Sequence, residues 1–236
     1  MTEAEVRAYR GGAARANYLG MDRPELAFAT KELCRRMTSP SRRDLGALGR
    51  VARYLAGCPR VVYAFPWQQH GQLLVFMDTD FAGCMKTRKS TSGGCAMLGR
   101  HTIKHWSSTQ KVVTLSTGEA ELAGIVKGAA EALGIRSLAE DLGFKLDAKL
   151  YADSSAAIGI CRRTGIGKVR HLATGQLWAQ ERLRAGDFKP FKVPGTENPA
   201  DLMTKHLSRA EADKHLWSMG VMRVTGRASA APELAD

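Results

Sequence analysis

Six acidic residues stand where a strand is predicted to end or a helix to begin: Asp78, Asp80, Glu119, Glu121, Asp153 and Asp201. The apolar run LLVFM, typical of a buried strand, stops abruptly at Asp78. Carboxylates are costly to bury unless they are paired or bound to a cation. The acidic residues therefore point to a charged site beside the end of a core strand.

Carboxylates that follow neighbouring strands are well placed to bind metal ions. In open α/β sheets, ligands gather beyond the carboxyl ends of the strands, where these side chains would converge. Three or four converging carboxylates repel one another and raise each other's pKa, and a divalent cation relieves that repulsion. An oxygen-only set without His or Cys suits Mg²⁺ or Mn²⁺ better than zinc. Two such ions about 3.5–4 Å apart would activate a water and stabilise the leaving oxygen of a phosphodiester.

Each acidic residue also has a structural interpretation. Asp80 could cap the turn formed by the Phe-Ala-Gly that follows it, and Asp153 and Asp201 could each be the N-cap of a helix. The spacing of the residues leaves both interpretations open, so the hypothesis of a metal site rests on the whole set.

The elements that must position these residues begin with helices and continue with strands. The segments MDRPELAFATKELCRRM and SPSRRDLGALGRVARYLAGCP are predicted helices, the second with a capping box of Ser41 and Asp44. VVYAF is an edge arm, and QLLVFM, SGGCAMLGR and TIKHWSS are strands. A helix over 116–143, broken in its middle, precedes the strand AKLYAD, the helices SSAAIGICRR and HLATGQLWAQERLRAG, the strand FKPFKVP and the short helix NPADLMTKHL. This order predicts an α/β fold with helices packed on a mixed sheet.

The composition favours a polyanionic partner. The 236 residues include 35 Lys and Arg against 23 Asp and Glu, a net charge of +12. Nucleic acid is the usual partner of such an excess, although a merely soluble basic protein also fits. The five cysteines form no Cys-x-x-Cys pair, which argues for reduced thiols and against a zinc site. Without a secretory signal or an apolar run of about 20 residues, we expect no membrane partner and an intracellular location, cytoplasmic or nuclear.

Two basic segments are candidates for contact with a nucleic-acid backbone. TRKSTSGG offers cations, hydroxyls and backbone N–H groups that suit phosphates or 2′-hydroxyls, although Ser, Thr and Gly also dominate turns. CRRTGIGKVRH concentrates cations among glycines, and a solvated loop is the alternative. The candidate residues are Arg88, Lys89, Ser90, Thr91, Ser92, Arg162, Arg163, Lys168, Arg170 and His171. Trp106 and Trp178 have core periodicity, so we expect them in the core rather than stacked on bases.

Five segments carry motifs that occur together, and in this order, in one family. They are DTDFAGCMKTRKSTSGGCAMLG, WSSTQKVVTLSTGEAELAG, LYADSSAAI, RHLATGQLWAQE and VPGTENPADLMTK. Together they resemble the ribonuclease H domain of Ty1/copia-type retrotransposon polyproteins. The upstream segment 15–58 resembles the part that follows the polymerase palm in the same polyproteins, so the likeness covers residues 15–208.

The resemblance implies a ribonuclease H-like fold, with a five-stranded mixed sheet flanked by helices. It also implies endonucleolytic cleavage of the RNA strand of RNA–DNA hybrids with two Mg²⁺ or Mn²⁺ ions. By position in the motifs, the catalytic and metal-binding carboxylates would be Asp78, Glu121, Asp153 and Asp201. Asp80 and Glu119 would be neighbours of this set. The implied partners are the hybrid and the remainder of the retrotransposon polyprotein.

The resemblance also divides the chain into three parts. Residues 1–60 would be a helical remnant of the reverse-transcriptase thumb or connection, residues 61–208 the ribonuclease H-like domain, and residues 209–236 a partly disordered tail. The Tyr-x-Asp-Asp motif of reverse transcriptases does not occur, so we expect no polymerase active site in this chain.

A departure from the wider family pattern bears on activity. Many ribonucleases H have a histidine in the loop before the last acidic helix, and the corresponding segment PGTENPAD has none. His171 and His206 are the nearest in sequence, and for His171 a structural role is at least as well supported as a catalytic one. The alternative function is a catalytically inactive, nucleic-acid-binding remnant of a retrotransposon.

Overall fold

A computed structural model of the chain describes residues 1–69, 71–165, 167 and 174–226. The helices are α1 (Glu3–Leu19), α2 (Ala27–Cys34), α3 (Arg42–Gly57), α4 (Thr117–Asp141), α5 (Ser155–Arg162), α6 (Thr174–Arg184) and α7 (Arg209–Ser218). The strands are β1 (Arg60–Tyr63), β2 (Gln72–Asp80), β3 (Thr91–Leu98), β4 (His101–Thr109), β5 (Asp147–Ala152), β6 (Lys189–Lys192) and β7 (Val221–Val224). Short 3₁₀ helices lie at Pro24–Leu26, Gly195–Glu197 and Pro199–Met203.

Strand β2 is the centre of a five-stranded mixed sheet. The strand order is β4-β3-β2-β5-β6, with antiparallel pairing among β4, β3 and β2 and parallel pairing among β2, β5 and β6. A meander of three strands that continues into parallel strands through helices is the ribonuclease H-like arrangement. The predicted α/β fold class is therefore confirmed.

Helix α4 covers one face of this sheet and builds the main core. Leu122 and Ala129 are fully buried there against residues of β2 and β5. The sequence predicted a break in the middle of this helix, and that prediction is wrong, because α4 runs unbroken for 25 residues. A Cβ on Gly128 would collide with the Met77 side chain, so this glycine lets the helix approach the sheet closely.

The expected core positions of the two tryptophans are confirmed. Trp106 is 9% exposed within the main core, and the half-buried Trp178 packs against the same core. All five cysteines are free thiols. Among the helices in the described part of the chain, none combines the length and the apolar character needed to cross a membrane.

Helices α1, α2 and α3 form an N-terminal segment with its own apolar cluster around the fully buried Tyr9. Helix α1 was not predicted, although a capping box of Thr2 and Glu5 opens it. The capping box of Ser41 and Asp44 at the start of α3 is confirmed. Helices α1 and α3 therefore begin where side chains satisfy free N–H groups of the first turn.

The N-terminal segment packs directly against the five-stranded sheet. Lys31 Nζ on α2 donates to Thr91 Oγ1 at the start of β3, at 2.8 Å. The ring of His105 on β4 forms a hydrogen bond with Gly20 O, with 2.8 Å between Nε2 and the oxygen. The N-terminal segment therefore contacts the sheet at two places: the start of β3, which pairs with the end of β2, and the edge strand β4.

The chain after residue 208 contains two elements that the sequence did not predict, α7 and β7. The prediction for residues 209–236 was a tail that is disordered in part. Residues 227–236 lie outside the described residues, so the prediction of disorder remains untested.

Capping, burial and strand pairing explain why α7 and β7 form. Ser208 and Glu211 make a capping box at the start of α7. Leu216 and Val221 are each 1% exposed and belong to an apolar cluster beneath the sheet. Strand β7 pairs antiparallel with β1 in a separate two-stranded sheet, so the VVYAF arm has a partner near the other end of the chain.

We expect Leu216→Ala to lower the free energy of unfolding by about 2–5 kcal/mol, because it leaves a cavity in a packed cluster. The adjacent Trp217 is 71% exposed and provides a matched control. Trp217→Ala should change the same free energy by less than about 0.5 kcal/mol. Urea unfolding followed by circular dichroism measures both variants, and equal effects would show that α7 is not packed as described.

Candidate metal centre

Three carboxylates meet beyond the carboxyl ends of β2 and β5. Asp78, Glu121 and Asp153 each offer an oxygen, and these oxygens lie within 4.8 Å of one another. Asp78 and Glu121 are 2% and 6% exposed, and Asp153 is half-buried. The structure thus brings together three of the four residues that the sequence resemblance implies as metal ligands.

Parallel strand pairing places Asp78 and Asp153 side by side. Met77 on β2 is directly opposite Ala152, the last residue of β5, so Asp78, still within β2, lies beside Asp153, which follows β5. Met77 faces α4, where it packs against Gly128. Because side chains alternate along a strand, Asp78 projects from the opposite face.

Glu119 and Glu121 have different surroundings at the start of α4. Ser116 Oγ accepts the Glu119 N–H and donates to Glu119 Oε1 at 2.9 Å. The Leu115 N–H donates to Glu119 Oε2 at 3.1 Å. Glu119 therefore completes the start of the helix, whereas Glu121 turns toward Asp78 and Asp153.

Asp201 stands next to this group on the 3₁₀ helix Pro199–Met203. The fully buried Asn198 holds that helix against β2, since its Nδ2 donates to Met77 O at 2.9 Å. Asn198 Oδ1 also accepts the Ala200 N–H at 3.2 Å. Asp201 is not one of the three residues whose oxygens lie within 4.8 Å of one another. Its carboxylate is connected to that of Asp78 through the ammonium group of Lys205.

The helix caps are residues other than the acidic candidates. Ser154 Oγ accepts the Ala157 N–H at 3.2 Å and is the N-cap of α5, where Asp153 was the alternative. Asn198 is the N-cap of the 3₁₀ helix that contains Asp201. The N-cap interpretation of Asp153 and Asp201 is therefore wrong, and both carboxylates remain available to a ligand.

Thr204 and Lys205 contact the carboxylates and were not among the predicted site residues. Thr204 Oγ1 donates a short hydrogen bond to Asp78 Oδ2. Lys205 Nζ lies 3.4 Å from Asp78 Oδ1 and 2.8 Å from Asp201 Oδ1. The segment PADLMTK contains both residues, and the four-residue spacing from Asp201 to Lys205 is a signal that could have identified the lysine.

Burial and repulsion by neighbouring carboxylates raise the pKa values of Glu121, Asp153 and Asp201. Burial, followed by the charges of Asp78 and Asp153, raises the pKa of Glu121 to about 8. Burial and then the charge of Asp78 also raise the pKa of Asp153. Burial raises the pKa of Asp201 to about 6, against the hydrogen bond from Lys205. Glu121 therefore keeps a proton at neutral pH when no cation is bound.

The residues of this site fit a hard divalent cation. The three ligand atoms of the group Asp78, Glu121 and Asp153 are all carboxylate oxygens, which Mg²⁺ and Mn²⁺ accept, whereas zinc prefers nitrogen and sulfur ligands. Burial first, and then repulsion by Asp78 and Asp153, raise the pKa of Glu121, and a bound cation would offset both effects. Burial and spacing thus support a metal site at this edge of the sheet, as the sequence proposed.

Asp80 stands apart from the three-carboxylate group. It lines a cavity of about 310 Å³ together with Phe28 and His206. A Cβ on Gly83 would collide with the Asp80 carboxylate, so Asp80 packs closely against the turn after β2. His206 meets the Phe28 ring edge-on, with 4.8 Å between the ring centroids. His171 lies outside the described residues.

The hydroxyl residues proposed for nucleic-acid contact are buried. Ser90, Thr91 and Ser92 are 0%, 3% and 3% exposed. Ser90 Oγ accepts the Ala82 N–H at 3.0 Å, and Ser92 Oγ accepts from Gln110 Nε2 at 2.8 Å. The predicted contacts of these three side chains are therefore corrected, because the protein itself surrounds and hydrogen-bonds them. For Ser90 the turn interpretation is right.

The cationic candidates are more accessible. Arg88 and Arg162 are exposed, and Lys89 and Arg163 are half-buried. Arg88 lies in the β2–β3 loop with a φ of 54°, and Arg162 Nη2 donates to Pro190 O at 3.0 Å. The remaining candidates lie outside the described residues, namely Lys168, Arg170 and His171.

We expect the metal-free protein to lose stability as the pH rises from about 4.5 to about 8. Glu121 has a higher pKa in the folded state than in the unfolded chain, so its contribution is fully present below the unfolded value and is lost as pH rises through about 8. Glu121→Gln should remove much of this loss. Unfolding free energies in EDTA at several pH values measure it, with the exposed Glu140→Gln as control. An unchanged pH slope in Glu121→Gln would contradict the expectation.

Comparison with curated proteins finds several transposon polyproteins similar to this chain. The retrovirus-related Pol polyproteins from transposons RE1 and RE2 of Arabidopsis thaliana are each 31% identical over 219 residues, 92% of this chain. The one from transposon TNT 1-94 of Nicotiana tabacum is 28% identical over 189 residues, 79% of this chain. The chain spans only 14–15% of the length of these relatives. No protein-family model matches the chain.

Solved structures similar to this chain include ribonuclease H domains. The N-terminal RNase H domain of Rv2228c from Mycobacterium tuberculosis is 17% identical, with a TM-score of 0.39, over 63% of this chain and 98% of that one. LC11-RNase H1 in complex with an RNA/DNA hybrid is 12% identical, with a TM-score of 0.41, over 56% and 93%. Such scores add no argument, so the fold assignment rests on the strand order. From its sequence similarity over nearly its whole length, the chain belongs to the family of retrovirus-related Pol polyproteins of transposons.

Proposed function

We propose that the chain is a ribonuclease H-type endonuclease that cleaves the RNA strand of RNA–DNA hybrids with the help of divalent cations. The observation that supports this most is the convergence of Asp78, Glu121 and Asp153 within 4.8 Å, with two of them buried. Clustering three carboxyl groups in a partly buried site costs free energy through desolvation and repulsion, and a bound cation would offset that cost.

The proposed ligands are Asp78, Glu121, Asp153 and Asp201. Asp78 and Asp153 are held by the paired ends of β2 and β5, Glu121 by the first turns of α4, and Asp201 by the 3₁₀ helix that Asn198 anchors. Thr204 orients Asp78 through its hydroxyl. The chemistry that bound Mg²⁺ or Mn²⁺ would supply is activation of a water and stabilisation of the leaving oxygen.

The proposed substrate is a nucleic acid because the chain is basic, and an RNA–DNA hybrid is proposed from the resemblance to ribonuclease H domains. The net charge of +12 suits a polyanion, and the exposed Arg88 and Arg162 could contact its backbone. Arg88 lies in the loop between β2 and β3, ten residues after Asp78 in the sequence. The candidate cations outside the described residues belong to the same proposal.

The polyprotein context is also part of the proposal. The chain spans 15% of the length of its Arabidopsis relatives. It lacks the Tyr-x-Asp-Asp motif of reverse transcriptases, so we propose no polymerase active site in this chain. We propose that residues 1–60 correspond to the thumb or connection of the reverse transcriptase. The hydrogen bond from Lys31 Nζ to Thr91 Oγ1 supports a fixed position of that segment beside the ribonuclease H-like domain.

We expect Asp78→Asn and Asp153→Asn each to reduce Mg²⁺-dependent cleavage of a labelled RNA–DNA hybrid by at least about 10³-fold, since several kcal/mol of charge stabilisation depend on the cations. Gel electrophoresis of the RNA strand measures the rate, and omission of Mg²⁺ should abolish it. Asp147→Asn is a matched control, because Asp147 is exposed at the opposite end of β5. It should cleave at the wild-type rate.

Asp80→Asn tests the division between the two aspartates of β2. We expect cleavage to persist in this variant, because Asp80 lies outside the three-carboxylate group. A loss as large as that of Asp78→Asn would require a new assignment of the ligands. Salt-sensitive binding of the hybrid by the wild-type chain, with no turnover in Mg²⁺ or Mn²⁺, would instead select the inactive nucleic-acid-binding remnant.

A further inference from the structure

Lys205 places a positive charge among the proposed metal ligands. Its Nζ is 2.8 Å from Asp201 Oδ1 and 3.4 Å from Asp78 Oδ1, so one ammonium group bridges two carboxylates from different elements. Asp201 and Lys205 are four residues apart on the same stretch of chain, whereas Asp78 lies near the carboxyl end of the central strand. The lysine therefore supplies the link between Asp201 and the three-carboxylate group.

The two sides of this bridge differ in their freedom to move. The Asp78 side chain is 2% exposed and also accepts a hydrogen bond from Thr204 Oγ1. The Lys205 side chain is 41% exposed, and it borders the cavity that Asp80 and His206 line. A long, partly exposed lysine side chain can reach solvent by changing rotamers, whereas the buried aspartate is fixed.

We propose that Lys205 is an internal counter-ion that holds Asp78 and Asp201 in the metal-free protein and leaves them when a divalent cation binds. The inference rests on the proposed function, because it takes these two carboxylates as metal ligands. Metal binding is then an exchange of one cation for another. Lys205 is a positioning residue that keeps the carboxylates together before the metal arrives.

Electrostatic repulsion favours the exchange. An ammonium group and a divalent cation held by the same carboxylates would stand within a few Å of each other, and their repulsion in a partly buried site is strong. The longer contact, to Asp78, should break first, because the contact to Asp201 spans only four residues and is close to ideal hydrogen-bond length. The exchange also lowers metal affinity, because the free energy gained by binding the cation is reduced by the loss of the ion pairs between Lys205 and the two aspartates.

The reactivity of the Lys205 amine tests the exchange in the wild-type chain. We expect acetylation by a water-soluble ester, quantified by mass spectrometry of peptides, to be slow in EDTA and severalfold faster in saturating Mg²⁺. Lys104 is the internal control, since it also pairs with one carboxylate, Glu131 at 2.6 Å, and its side chain is 49% exposed. Its acetylation rate should not respond to Mg²⁺.

Metal affinity without substrate gives a second, independent measurement. We expect Lys205→Met to lower the Kd for Mn²⁺, measured by titration calorimetry, by about tenfold, a typical coupling between two ligands of one site. Its melting temperature in EDTA should fall, and the rise on adding Mn²⁺ should exceed that of the wild type. Lys104→Met removes the same charge elsewhere and should change neither quantity.

The outcomes separate this inference from the proposed function. If Mn²⁺ binds but neither the Lys205 reactivity nor the Kd of Lys205→Met changes, the exchange is wrong and the metal site stands. If calorimetry detects no cation binding to the wild-type chain, the proposed function fails and the exchange fails with it. Because the acetylation measurement uses the wild-type chain, a folding defect in Lys205→Met cannot decide the result.

Discussion

The close approach of like-charged carboxyl groups in a partly buried site is the constraint on which the rest of this structure depends. Asp78, Glu121 and Asp153 repel one another, and burial adds to the cost of their charges. The metal-free chain meets this cost with a proton on Glu121, the hydroxyl of Thr204 and the ammonium of Lys205. A bound divalent cation would make the proton and the ammonium group unnecessary.

The surrounding elements hold these side chains rigidly enough to sustain the repulsion. Parallel pairing of β2 with β5 fixes two of them, and the close packing of α4 on the sheet at Gly128 fixes the third. Asn198 ties the last acidic segment to the backbone of the central strand at Met77. Ligand side chains on strands and at helix starts are positioned more precisely than those on loops, because packing limits their rotamers.

The order of predicted strands and helices indicated a mixed sheet, because apolar runs and caps are local signals. The residues of the carboxylate group followed from the resemblance of the motifs, since their spacing alone left a structural interpretation open. The burial of Ser90–Ser92 could not be predicted, since it depends on partners such as Gln110 that are distant in sequence. Lys205 was overlooked for a similar reason. Its role depends on a contact with Asp78, which is 127 residues earlier in the chain. Helix α7 was missed because its burial requires the apolar cluster beneath the sheet.

The pairing of β1 with β7 has a consequence for the order in which the chain assembles. All four proposed ligands precede β7, and the strand that closes the small sheet is among the last described parts of the chain to leave the ribosome. Contacts between residues so far apart in sequence form late and slow the folding of a domain. Within a longer polyprotein, a cut placed just after residue 208 would leave β1 as an unpaired edge, which is a template for aggregation.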